Sequence, residues 1–162
     1  MTKKSKNIIE VSMGEGEVAL HPYILTSAGL GSCVVAALYD TRRRIGGMAH
    51  IMIPKYSGSS NNGRYAYADM AIKKLLREMQ CKGAKLPDIV AKVAGGAKMF
   101  SYDDGGESIG EQIVAGVRTH LRKKGIQVTG VDTGGSRGRS VKFYLDTGRM
   151  VVKTLGREDK VI

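Results

Sequence analysis

The sequence predicts an α+β fold: packed mixed β-sheets in a sandwich-like arrangement, with flanking helices. Three observations carry this. Short apolar, β-branched runs outnumber helical stripes; only two stretches show the 3.6-residue period; and those two do not alternate regularly with the strands, as a parallel α/β fold would require. At 162 residues the chain fits a single domain over 1–162, with 1–6 and 156–162 expected to be flexible.

Taken in order, residues 7–11 read as a first strand, 12–15 as a turn and 17–20 as a short second strand. His21-Pro22 interrupts it, because proline cannot donate to a ladder. Residues 23–25 then lead into a Gly-rich loop. Two apolar runs, 33–39 and 45–53, flank Asp40, Thr41 and three arginines, the pattern of an antiparallel hairpin. The Ser-, Asn- and Gly-rich stretch 55–63 reads as a loop, with a lid or recognition role as one option and a surface connection as the other.

Residues 65–81 place Ala68, Ala71, Ile72, Leu75, Leu76 and Met79 on one face, an amphipathic helix with Asp69 in its first turn and Gly83 just past its end. Residues 89–93 form a buried strand that ends in Gly95-Gly96. Ser108-x-x-Glu111 has the form of a capping box and opens a second helix, whose apolar face is Ile109, Ile113, Val117 and Leu121. Residues 126–131, 140–145 and 150–155 are strands. Asp146-Thr147-Gly148 makes the hairpin turn between the last two.

Composition narrows the function. The chain has two cysteines, Cys33 and Cys81, too few for a disulfide framework and suited to a reducing, cytoplasmic setting. No apolar run approaches the length of a membrane span, so no membrane insertion is expected. A net charge of +11 spread along the chain fits a basic solvated surface, or attraction to an acidic partner. Two phenylalanines and no tryptophan make a poor stacking platform, so nucleic acid is disfavoured as a partner. The three histidines and two cysteines show no paired ligand spacing, and neither metal nor cofactor is expected.

The chemistry concentrates at residues 27–54. Cys33 follows Gly29 and Gly31, and a hairpin turn centred near Arg42 would set residue 50 or 51 opposite it. Facing Cβ atoms lie about 4.5–5.5 Å apart, which brings His50 beside Cys33. A thiol next to an imidazole is the minimal unit of cysteine catalysis. A buried structural cysteine and a redox switch at Cys33 are the competing readings.

Five motifs in order, Leu30-Gly31-Ser32-Cys33-Val34, Gly47 to Pro54, Tyr67-Ala68-Asp69-Met70-Ala71, Ala94 to Phe100 and Asp132-Thr133-Gly134-Gly135, resemble the chemoreceptor glutamine deamidase family, CheD. The resemblance spans about residues 10–155. It implies hydrolysis of glutamine side chains on methyl-accepting chemotaxis receptors through a Cys-His-Thr triad, with methylesterase activity as a side reaction, and a fold similar to that of cytotoxic necrotizing factor-type deamidases. Carried onto this chain, the nucleophile is Cys33 and the base His50. The third position holds Ser27 where the family has threonine, with Thr26 as the alternative. The family's Arg-Asn after an Ile-Gly pair is absent from Ile109-Gly110-Glu111-Gln112-Ile113, so no polar role is carried onto Gln112 or Ile113. Backbone N–H groups around Gly31 and Ser32 are candidates for an oxyanion site. The resemblance also ties the segment ending at Phe100 to docking of a CheC-type phosphatase.

Overall fold

The computed structural model describes residues 7–58, 63–100 and 106–162. Its strands form two five-stranded mixed sheets. One has the order β1-β3-β8-β9-β10, from β1 (Ile8–Glu10), β3 (Ile24–Leu30), β8 (Arg139–Tyr144), β9 (Met150–Thr154) and β10 (Lys160–Val161). The other has the order β2-β5-β4-β6-β7, from β2 (Gly16–Leu20), β5 (Ile45–Ile51), β4 (Val34–Asp40), β6 (Ile89–Gly95) and β7 (Gln127–Thr133). The β1–β3 and β6–β7 pairs are parallel and the remaining neighbours antiparallel.

Helices α1 (Ala68–Cys81) and α2 (Ile109–Lys123) cover the outer face of the second sheet, giving three layers: helices, sheet, sheet. Strand β4 lies at the centre, and every residue in it is buried. Because successive side chains point to opposite faces, Val34, Ala36 and Leu38 pack toward the helices with Leu75, Met79 and Val117. Cys33, Val35, Ala37 and Tyr39 face the other sheet with Leu25, Val141 and Phe143. Its near-continuous apolar run is the signature of a strand buried on both sides.

Local sequence explains the elements. Helix α2 opens on a complete capping box, with Glu111 N–H donating to Ser108 Oγ at 3.2 Å and Ser108 N–H to Glu111 Oε2 at 3.0 Å. The β4–β5 hairpin closes on the pair Asp40 and Ile45 around a four-residue loop, in which Arg44 takes φ 53°. Asp40 is fully buried and accepts from the N–H groups of Arg42, Arg43 and Lys85 and from the Arg43 guanidinium, at 2.9–3.0 Å. Burial alone would raise its pKa; these donors outweigh that and hold the carboxyl below its usual range.

Two expectations change. Ile24 and Leu25 belong to a seven-residue strand, β3, that runs to Leu30 rather than opening directly into a loop. The tail 156–162, expected to be flexible, returns as β10 on β9, and Ile162 and Met150 exchange backbone hydrogen bonds at 2.9 and 3.1 Å. Residues 1–6 and the centre of the 55–63 loop lie outside the described residues. No helix among the described residues is long and apolar enough to cross a membrane.

Candidate active site

Ser27 is the residue that joins the two sheets at this site. Alternation along β3 turns Leu25 and Ser27 inward and Thr26 to the opposite face, and Ser27 is only 2% exposed. Its hydroxyl sits 2.6 Å from the Val11 carbonyl oxygen and 2.8 Å from Nδ1 of His50 on β5. A serine hydroxyl has one proton to give. Because the Val11 carbonyl can only accept, that proton goes to Val11, and Ser27 Oγ accepts from His50 Nδ1–H. The imidazole is thereby fixed in the tautomer with a bare Nε2. This nitrogen is buried and has no partner among the described residues.

The β4–β5 register corrects the expected Cys33–His50 pairing. Val34 faces Ile51 and Val35 faces His50, so Cys33, one residue before β4, falls in line with Met52. Cys33 and His50 are therefore diagonal rather than directly opposite. They remain on one face, where diagonal neighbours lie about 7–8 Å apart and side chains lean together. The half-residue offset comes from the hairpin loop, whose centre is between Arg42 and Arg43 rather than at Arg42. The backbone of His50 is pinned as well: its N–H donates to the Glu15 carbonyl and its carbonyl accepts from Gly14 N–H, both at 2.9 Å.

Burial sets the charge state. It pushes the Cys33 thiol above its ordinary pKa, and it lowers that of His50, with the Val11 carbonyl partly offsetting the fall. Both shifts favour a neutral thiol beside a neutral imidazole over an ion pair.

The loop carrying Cys33 is held from behind by the Gly95-Gly96 turn at the end of β6. Gly96 N–H donates to the Cys33 carbonyl at 2.8 Å, and Ala97 N–H to the Gly31 carbonyl at 3.0 Å. Gly95 and Gly96 have φ of 110° and 69°, and a Cβ on Gly95 would fall against the Cys33 carbonyl oxygen. The glycine pair that ends the strand is the cradle of the cysteine loop. Of the expected oxyanion donors, Gly31 drops out because its N–H is committed to the Gly29 carbonyl at 3.1 Å. The N–H groups of Ser32 and Cys33 have no backbone partner among the described residues.

A cavity of about 220 Å³ opens beside the cysteine loop, lined by Ser32, Lys98, Met99, Phe100 and Ile109. Phe100 is 72% exposed, and Met99 extends over Gly31. The second cysteine, Cys81, is exposed at the end of α1, away from these groups. Among the described residues no cluster of three His, Cys, Asp or Glu side chains could hold a metal ion.

Comparison with known proteins adds a family. Residues 52–154 match the family model described as CheD chemotactic sensory transduction. The chain is 42% identical over 159 residues to the probable chemoreceptor glutamine deamidase CheD of Caldanaerobacter subterraneus subsp. tengcongensis, covering 96% of this chain and 98% of that relative. It is 40% identical over 146 residues to the chemoreceptor glutamine deamidase CheD of Thermotoga maritima, covering 90% and 91%. Among solved structures, the hypothetical protein YfiH of Bacillus licheniformis superposes with a TM-score of 0.47 at 17% identity, over 73% of this chain and 49% of that one.

Proposed function

The chain belongs to the CheD family, and from that membership we propose that it hydrolyses glutamine side chains of chemotaxis receptors to glutamate, with Cys33 as nucleophile, His50 as general base and Ser27 as the residue that orients His50. The observation that carries this reading is the hydrogen-bond chain from the Val11 carbonyl through Ser27 to His50 Nδ1, which leaves Nε2 bare on the face it shares with Cys33.

The reaction begins from the neutral pair. As the Cys33 sulfur attacks the side-chain amide carbon, His50 Nε2 takes the thiol proton. Negative charge then grows on the former carbonyl oxygen, within reach of the Ser32 and Cys33 N–H groups. Donors preorganised around a developing oxyanion are among the largest single contributions to catalysis. His50 passes its proton to the departing nitrogen, the C–N bond breaks, ammonia leaves and a thioester remains. Water, deprotonated by His50, attacks that thioester, the C–S bond breaks, and the proton returns to sulfur. A glutamate methyl ester offers the same carbonyl with methanol as leaving group, so methylesterase turnover belongs to this proposal as a side reaction. The deciding experiment is mass spectrometry of receptor peptides after incubation with the protein: each converted glutamine gains about 1 Da, and unchanged peptide masses would refute the assignment.

Two predictions follow from this geometry. Ser27→Ala should slow turnover about 10- to 100-fold, because an imidazole free to rotate or change tautomer misplaces the base. Thr26→Ala, on the opposite face of β3, should change the rate little. Steady-state rates of the two variants check this, and the reverse order would transfer the orienting role to Thr26.

The pH profile gives the second. His50 acts only when neutral, and burial lowers its pKa, so the acid limb of kcat/KM should fall below the ordinary histidine value of about 6.5. The sign for stability is the same. The folded pKa lies below the unfolded one, so this contribution is fully present above pH ~6.5 and is lost as pH falls through the folded value. An acid limb above pH ~7 would contradict a His50 pKa lowered by burial.

Phe100 completes the proposal as a docking residue for a CheC-type phosphatase. An aromatic ring this exposed costs little stability to remove, whereas a central interface anchor typically contributes about 2 kcal/mol, roughly thirtyfold in affinity. Phe100→Ala should therefore weaken phosphatase binding with Tm nearly unchanged. A large fall in Tm with binding intact would assign the ring to packing.

A further inference from the structure

Residues Gly95 to Lys98 form a strap behind the cysteine loop, and a second cleft borders it through Gly135 and Arg139. It encloses about 230 Å³, and its charged walls are Arg137, Arg139, Arg157 and Lys160 against Asp132 and Glu158. The carboxylates do not neutralise it. Among the described residues the single ion pair here joins Arg139 to Asp132 at 3.6 Å, and Arg137 is directed to the Leu155 carbonyl at 2.9 Å. Arg157 and Lys160 have no carboxylate within ion-pair distance among the described residues.

Arg139 forms the floor. Its side chain is 8% exposed, it donates to the Gly134 carbonyl at 2.7 Å and the Gly95 carbonyl at 3.3 Å, and its Nε–H has no partner among the described residues. A guanidinium this deeply placed, with one long contact to a carboxylate, is under-compensated, and an additional anion would relieve the cost of burying it.

The floor is also tied to the cysteine. Gly95 begins the cradle of the Cys33 loop, and Arg139 pairs in register with Leu30, three residues before Cys33. Three residues of chain span at most about 10 Å. A substrate segment lying over Cys33 can therefore extend across the strap, where Lys98 N–H bonds the Gly135 carbonyl at 2.8 Å, and drop a side chain into the cleft.

We propose that this cleft is a specificity subsite for a carboxylate side chain, Glu or Asp, carried by the substrate segment near the target glutamine. The inference rests on the deamidase reading for its substrate, and binding tests it independently of turnover. The Cys33→Ala protein, which holds substrate without consuming it, is titrated with a purified chemoreceptor signalling fragment, and with the same fragment in which the acidic residues within two helical turns of the reactive glutamine are changed to alanine.

Adding Arg157→Ala and Lys160→Ala, both on the exposed rim, should raise Kd for the acidic fragment about tenfold, the scale of losing a charge-assisted contact. The neutralised fragment should bind both proteins equally weakly, so that the two changes are not additive. Equal Kd values for the acidic fragment with and without the rim arginine and lysine, or strictly additive losses, would overturn the subsite. A fragment that binds but is never converted by the unaltered protein would instead remove the deamidase reading and leave the Kd comparison standing.

Discussion

Cys33→Ser is expected to reduce conversion of receptor glutamine by about 10⁴-fold or more while leaving the fold intact. Serine nearly preserves the volume at a position 8% exposed at the edge of the inter-sheet core. What changes is acidity: a hydroxyl gives up its proton to a neutral imidazole far less readily than a thiol does, and removing a nucleophile typically costs several orders of magnitude in kcat. His50→Ala should cost a similar amount. The two losses should not add in the double variant, because nucleophile and base act as one unit. The readout is the +1 Da product, followed beside the melting curve of each variant. Full conversion by Cys33→Ser at unaltered Tm would remove the need for a thiol, and full conversion by Cys33→Ala would eliminate the covalent route.

The sequence makes parts of this site legible because they are local. The α1 stripe and the Ser108–Glu111 box each lie within a few turns of one helix, and their spacing alone identifies them. The Cys33–His50 neighbourhood is a hairpin property, and chain arithmetic reaches it to within one residue. It misses the register because a four-residue loop and a three-residue loop leave the same polar gap between apolar runs.

What stays hidden depends on partners distant in sequence. Thr26-Ser27-Ala28-Gly29 reads as loop, since its alanine and glycine have weak strand propensity and no large apolar residue alternates through it. They become a strand through pairing with β8, more than a hundred residues later. The buried Ser27 hydroxyl is tolerable there only because Val11 and His50 both satisfy it. Arg139 is hidden for the same reason: in sequence it belongs to a Gly- and Arg-rich stretch, and only folding buries it against Gly95 and Gly134.

Gly95→Ala should be the most damaging change that touches neither the nucleophile nor the base. Two costs coincide. The residue holds φ 110°, where an L side chain is strained by about 1–3 kcal/mol. The added methyl would also meet the carbonyl oxygen of Cys33, which is fixed by Gly96 N–H and cannot yield without moving the loop. A displacement near 1 Å of a reacting group can cost about 10²-fold in rate. The variant should therefore lose about 100-fold in kcat, with Tm lowered by several degrees or more, since the strain alone costs about 1–3 kcal/mol and each kcal/mol shifts Tm by about 2–4 °C in a domain of this size. Gly125→Ala provides the control. That glycine has φ 70° just past α2 with no atom near the position of a Cβ, so it should carry the backbone strain and lower Tm without lowering kcat. Equal turnover by the Gly95 and Gly125 variants at a temperature where both are folded would show that the Gly-Gly turn serves stability alone and does not position Cys33.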